Sequence, residues 1–216
     1  MYDDRRDAGR RLARALAHLR GDSLVVLGLP RGGVPVAYEV ALALGAPLDL
    51  LLVRKLGAPF NPELAIGAIV DGEEPQIVRN EEIMKAVGAT EAQLQAEAKR
   101  QLIELERRRA TYLRGRQPEP VAAKTAVVVD DGIATGATMR AALRGLRSRA
   151  PKRVVLAVPV AAPEALALVS KEVDEVVCLW SPRELGAVGG AYRSFRQVGD
   201  EEVVALLDRA RQAPHP

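Results

Sequence analysis

The sequence is poor in the residues from which many sites are built. It has one cysteine, Cys178, and two histidines, His18 and His215. An internal disulfide framework and a His/Cys metal site are therefore both excluded, and any bound metal would take oxygen ligands. Only 3% of the residues are aromatic, which leaves few rings to stack a ligand. No apolar run reaches the roughly 18 residues that a membrane helix needs, and the opening MYDDRRDAGRR is too charged for a secretory signal. The expectation is a cytoplasmic protein with no membrane partner. Repeats and low-complexity tracts are also lacking. The net charge is only +3, so nucleic acid is not an expected partner, whereas small phosphorylated molecules suit a mildly basic surface.

What the chain does have is a soluble balance, 48% hydrophobic and 27% charged, in 216 residues, a length that suits one domain. Leu12, Ala15, Leu16 and Leu19 fall at helical spacing over residues 3 to 20, before Gly21. The run LVVLGL (24–29) reads as a strand, PRGG as a loop and VAYEVALAL as a helix, with LDLLLVRK as the next strand. LGAPFNPELAIGAI is rich in Gly and Pro, which predicts an irregular loop before a small strand near 66–70, with QIVR (76–79) as its hairpin partner. Residues 90 to 113 form helix with a thin apolar stripe, Leu94, Ala98, Leu102, Leu105 and Ala110, expected to be an exposed arm or flap.

AVVVD (126–130), VVLAVPV (154–160) and DEVVCLW (174–180) are short apolar strands separated by helical segments. That alternation predicts an α/β fold, an open and mostly parallel sheet with helices on both faces. Residues 181–197 have no clear period and read as an ordered loop or cap, and a last helix starts at Asp200 as N-cap. Cys178 reads as inert core and His18 as a surface residue. The run 99–116 is basic, but Glu104 and Glu106 can pair with Arg108 or Arg109, so a solvated arm or subunit contact is expected there.

Chemistry concentrates in VVVDDGIATGAT (127–138). A buried strand ends in two acids, and a loop with Gly132 and Gly136 leads into a helix N-terminus. Loop amides and the hydroxyls of Thr135 and Thr138 can ring an anion, a phosphate cradle. Asp130 and Asp131 stand at the carboxyl end of the strand, where open parallel sheets hold ligands, and suit two hydroxyls or a hydrated Mg²⁺. A Walker lysine is missing, as is a GxGxxG after a strand.

These residues resemble the ribose-phosphate motif of type I phosphoribosyltransferases, two acids followed by an apolar-rich stretch ending in T-G-x-T. PRGGVPV, VRK and GAPFNPELAIGA resemble a bacterial branch of uncharacterised phosphoribosyltransferase-domain proteins. The resemblance implies one domain over 1–216, with a core at about 22–180, a helical insertion at about 71–116 and a hood at about 181–198. It implies transfer of ribose 5-phosphate from PRPP to a nitrogen acceptor such as a nucleobase, with pyrophosphate leaving, Mg²⁺ assisting and a homodimer as the assembly. Asp130 and Asp131 would hold the ribose hydroxyls and the metal, directly or through water. Gly132, Ala134, Thr135, Gly136, Ala137 and Thr138 would hold the 5-phosphate.

Pro30, Arg31, Gly32, Gly33, Arg54 and Lys55 would hold pyrophosphate, with Arg31 and Lys55 neutralising charge in the reaction. Asn61 or Glu63 would close over the site, and Trp180 and Tyr192 would stack the acceptor. The family's enzymes for 6-oxopurines carry Asp before T-G, where this chain has Ala134, which leaves adenine-like, pyrimidine-like and non-base acceptors open. A PRPP- or nucleotide-sensing regulator that binds nucleic acid is the alternative.

Overall fold

The computed structural model describes residues 1–72 and 75–213, the side chain of Glu63 excepted. The expectations for Glu63 and His215 lie outside the described residues. Strands β1 (Leu24–Gly28), β2 (Leu48–Leu50), β6 (Thr125–Val129), β7 (Arg153–Val160) and β8 (Glu175–Trp180) form a five-stranded sheet in the order β2-β1-β6-β7-β8. Every neighbouring pair is parallel. β1 and β6 are buried along their whole length, which is why they read as unbroken apolar runs rather than alternating ones.

Alternate side chains of these strands feed two cores. Val26, Val127 and Val155 pack with α1 (Arg5–Ala15), α2 (Gly33–Leu44) and α7 (Asp200–Gln212). Val25, Leu27, Ala126 and Val128 face the opposite way, onto α5 (Ala137–Arg147) and α6 (Pro163–Val169). The expected α/β layering is therefore present. Helix α7 begins one residue beyond its cap, Gly199, and Asp200 makes no cap bond as had been expected. Its carboxylate is engaged elsewhere, accepting a hydrogen bond from the Tyr112 hydroxyl at 2.7 Å.

LDLLLVRK is not one strand. β2 stops at Leu50, and β3 (Val53–Ala58) joins a separate antiparallel sheet with β4 (Asn61–Val70) and β5 (Gln76–Arg79). Leu51 and Leu52, at the switch, are buried, and their backbone is tied to both sides: Leu51 N–H donates to the Gly28 carbonyl, and Leu52 C=O accepts from Asp71. A bend that is itself buried is as apolar as a strand, so composition could not mark it. The stretch expected as irregular loop is the β3–β4 hairpin, with bulges at Leu56–Ala58 and Phe60 exposed near its tip. β5 pairs with β4 as expected.

Helix α3 (Glu81–Val87) precedes α4 (Glu91–Leu113), whose N-terminus has a full capping box between Thr90 and Gln93. α4 is no exposed arm. Leu94, Ala98, Leu105 and Tyr112 are buried in the same core as Leu56 and Ile66 of the second sheet and Val204 of α7. The thin stripe suffices because Leu94, Ala98 and Leu105 meet apolar surface and Tyr112 extends it, whereas Ala110, expected in the stripe, is exposed. On the solvent side Arg100 pairs with Glu97, and Arg107 with Glu104.

Candidate functional site

β6 delivers the acid pair to the carboxyl edge of the parallel sheet. The Asp130 carboxylate accepts from the Asp131 N–H at 2.8 Å. Asp131 accepts from Nε of Arg5 at 2.7 Å, in a pair whose side chains are only 10% and 14% exposed. Burial pushes the Asp130 carboxyl well above the usual carboxylate range, and the neighbouring Asp131 charge adds to it. Burial also raises Asp131, while the hydrogen bond and charge of Arg5 pull it back. The pair is thus held in an electrostatically costly state that a cation or a set of hydroxyl donors would relieve.

Arg5 is a residue that sequence reasoning missed. Its guanidinium also donates to the Arg196 carbonyl at 2.8 Å and lies 3.7 Å above the Phe195 ring. It stands in an arginine-rich helix where Arg6, Arg10 and Arg11 are about half exposed. Nothing in the local sequence separates it from them.

Beyond the acids, Ile133 stitches the loop to β7, donating to the Val160 carbonyl at 3.0 Å and accepting from Ala162 at 2.9 Å. Ala134, Thr135, Ala137 and Thr138 are exposed, whereas Gly136 is buried and caps α5 at φ +78°. Only glycine adopts that conformation without strain, and it aims the first-turn amides of α5 at the loop's mouth. The Thr135 and Thr138 side chains are thus accessible around the start of α5.

The Pro30–Arg31 peptide is cis. Gly32 and Gly33 are required chiefly by close approach. A Cβ on Gly32 would sit 2.0 Å from Asp131 Oδ2, and one on Gly33 would sit 2.7 Å from the Val129 carbonyl oxygen. Of the two glycines expected to hold pyrophosphate, Gly33 gives its N–H to the Leu29 carbonyl at 3.0 Å. Arg31 leans to α7, 3.6 Å from Asp200 Oδ1.

Arg54 and Lys55 lie on the antiparallel β3 rather than at the end of a parallel strand, and the turn at Leu51–Leu52 brings them back beside the loops. Arg54 donates through Nε and Nη2 to Gln101 Oε1 of α4, at 3.0 and 2.8 Å. Pro30, Arg54, Arg108, Asp130 and Thr138 share one cavity of about 130 Å³. Lys55, Ala137, Thr138 and Arg140 share a neighbouring one of about 450 Å³. Thr138 and Val53 line both.

The stacking expectation fails for Tyr192. It is 6% exposed, packed between Tyr2 and Phe195, and its hydroxyl donates to the Asp131 carbonyl at 2.5 Å. Burial raises its phenol far above the ordinary range, which keeps it a proton donor. Its role here is to buttress the acid turn. Trp180 is 44% exposed at the end of β8 and keeps a free ring surface. Cys178, expected in the core, is half-buried on the edge strand, with burial raising its thiol. His18 is on the surface, 2.9 Å from Glu175.

The family model of the phosphoribosyl transferase domain matches residues 1–186. The chain belongs to that family. It is 52% identical over 212 residues to a Mycobacterium tuberculosis protein that bears the name "Putative phosphoribosyl transferase", covering 98% of this chain and 47% of that protein. The chain thus spans about half the length of the curated relatives it matches. The crystal structure of TT1426 from Thermus thermophilus superimposes with a TM-score of 0.86 at 47% identity, covering 96% of this chain and 97% of that one. The family match covers the PRGG loop, Arg54, Lys55 and the acid–phosphate loop alike. Among the described residues no helix is long and apolar enough to cross a membrane.

Proposed function

We propose that this chain is a phosphoribosyltransferase that uses PRPP, moves ribose 5-phosphate to a nitrogen acceptor and releases pyrophosphate. The observation that carries the reading is the meeting of Asp130 and Thr138 with Pro30 and Arg54 in one cavity at the carboxyl edge of a parallel sheet. An acid for a diol, Asp130, one residue of the loop after it, Thr138, and cations for a diphosphate, Arg54 and Arg108, then surround a single small volume. Membership of the family supports the same reading. The contacts of Tyr2 and Arg5 with the segment 191–196 tie the start of the chain to the hood, and support taking 1–216 as one unit.

In this reading residues 132–138 hold the 5-phosphate, and Asp130 and Asp131 hold the ribose hydroxyls. The C1–O bond breaks with its electron pair leaving on pyrophosphate, and the lone pair of the acceptor nitrogen forms the new bond to C1. Arg54, Lys55 and Arg31 stabilise the charge that accumulates on the leaving group. Positioning supplies the rest, since no covalent intermediate is needed. Ala134 offers no carboxylate to take a proton from the acceptor, so the acceptor must be nucleophilic without help at that position.

Mg²⁺ fits the donor set. Asp130 and Asp131 are hard oxygen donors whose crowded charge a divalent ion would neutralise. Among the described residues no group of three or more His, Cys, Asp or Glu side chains is arranged to hold a metal alone, so ligand phosphates would complete the coordination. When bound, the ion would supply charge neutralisation to the diphosphate. The test is calorimetric titration of PRPP with and without Mg²⁺ on the wild type and on Asp130→Asn/Asp131→Asn. Binding lost in the double variant supports the reading, and an acceptor screen for pyrophosphate release then follows. Absence of binding by the wild type at millimolar PRPP overturns it.

A further inference from the structure

We propose that α4 is a wall of the diphosphate subsite and that its Arg108 binds the diphosphate of PRPP directly. The inference rests on the functional reading above and extends it to an element that the sequence presents as a solvated arm. Arg108 and Leu105 line the same cavity of about 130 Å³ as Pro30, Arg54 and Asp130.

Guanidiniums from two elements line this cavity, Arg54 of β3 and Arg108 of α4. A third, Arg31, stands outside that lining, on the PRGG loop that gives Pro30 to the cavity. Arg54 is oriented by α4 itself, through its two hydrogen bonds to Gln101. Arg31 is oriented by a contact to Asp200, where α4 also arrives with the Tyr112 hydroxyl. Each of the other two arginines is thus aligned beside a group of α4, and the helix adds its own cation to the cavity that Arg54 lines. Gln101, Leu105, Arg108 and Tyr112 fall at spacings of four, three and four, which places them on one face of a helix.

The electrostatics select the ligand class. A small cavity lined by two guanidiniums and a carboxylate suits an anion that carries its own cation. A diphosphate with a divalent ion has that form, and guanidiniums recognise phosphate oxygens through paired N–H donors. Arg108 is one-third exposed and holds Glu104 at 2.9 Å, a partner that Arg107 shares at 2.7 Å from the solvent side. Glu104 keeps a partner when Arg108 turns to the ligand. Arg107 therefore provides a matched control, the same side chain on the same acid facing away from the cavity.

The experiment is calorimetric titration of PRPP, inorganic pyrophosphate and ribose 5-phosphate, each with Mg²⁺, on the wild type, Arg108→Gln, Arg108→Lys and Arg107→Gln. Thermal melts of each protein confirm folding. In Arg108→Gln, PRPP and pyrophosphate should weaken by about tenfold or more, the factor that a lost charge-assisted hydrogen bond carries. Ribose 5-phosphate should stay within about twofold of wild type, because its anchor is the loop at 132–138. Arg108→Lys should recover part of the loss, and Arg107→Gln should bind all three ligands like wild type. Unchanged PRPP binding in Arg108→Gln, or equal weakening of ribose 5-phosphate, overturns the role of α4 and leaves the functional reading intact. Failure of the wild type to bind either diphosphate overturns both.

Discussion

Replacing Arg5 by Ala removes one member of a pair that is almost wholly desolvated, at 10% and 14% side-chain exposure and 2.7 Å separation. Deleting one partner of a buried ion pair costs roughly 3–5 kcal/mol, because the survivor is left charged and unsolvated. The residual exposure of both side chains favours the lower end, about 3 kcal/mol, which corresponds to a fall in Tm of roughly 6–12 °C for a chain of this size. The sign of the pH dependence follows from Asp131. Burial already raises its folded carboxyl above the ordinary value, and Arg5 opposes that rise. Without Arg5 the carboxyl rises further, and its ionised form is penalised fully at pH above the new folded value. Protonation relieves the penalty as pH falls through that value toward the unfolded one.

The gap in unfolding free energy between wild type and Arg5→Ala should therefore be largest near pH 7 and narrow toward pH 4. Urea titrations in chelator at several pH values measure it. A double-mutant cycle with Asp131→Asn should return a coupling of at least about 1 kcal/mol, within the range for residues in contact. A loss below about 1 kcal/mol at pH 7, or a gap that widens on acidification, would refute this account of a buried pair.

Asp130→Asn should stabilise the protein at pH 7 by about 0.5–2 kcal/mol while abolishing PRPP binding, the usual trade at a charge-crowded site; because the folded carboxyl is raised, urea titrations should show this gain fading as pH falls to the ordinary carboxylate range. Gly32→Ala forces a methyl to 2.0 Å from Asp131 Oδ2 and should cost about 1–3 kcal/mol in thermal melts together with loss of ligand affinity. Tyr192→Phe leaves the Asp131 carbonyl without its donor and should lower stability by about 1 kcal/mol in urea titrations, with acceptor preference in a pyrophosphate-release screen unaltered, since the ring is buried. Trp180 is the sole tryptophan and half exposed, so emission titrations should register an acceptor that stacks on it and stay flat if none does.

Local signals carried much of the fold. VVVD and VVLAVPV could be little other than buried parallel strands, because each is too short for a helix and apolar on both faces, and VVCLW joins them as a half-buried edge strand. The acid pair with T-G-x-T was legible for a similar reason, since a strand end, a glycine in the left-handed region and a helix start are all written within twelve residues of chain. The break in LDLLLVRK was not legible, because a buried turn between two sheets has the composition of a strand. The hairpin 53–70 was hidden by Pro59 and Pro62, which mark its tip and bulged edge rather than a loop throughout.

The sequence by itself determined the parallel α/β core, the glycine loop after β6 and the two acids, because each depends on backbone chemistry and side-chain order within one short segment. Only the tertiary structure decided that Arg5 holds Asp131, that Tyr192 buttresses the acid turn instead of meeting a ligand, and that α4 closes the cavity with Arg108. The first two contacts join residues 126 and 61 positions apart, Arg5 to Asp131 and Tyr192 to Asp131, and the third brings Arg108 into one cavity with Asp130, 22 positions away. Over such separations partners are chosen by which surfaces the packed sheet and helices bring together, and neighbouring arginines with the same local sequence meet different fates.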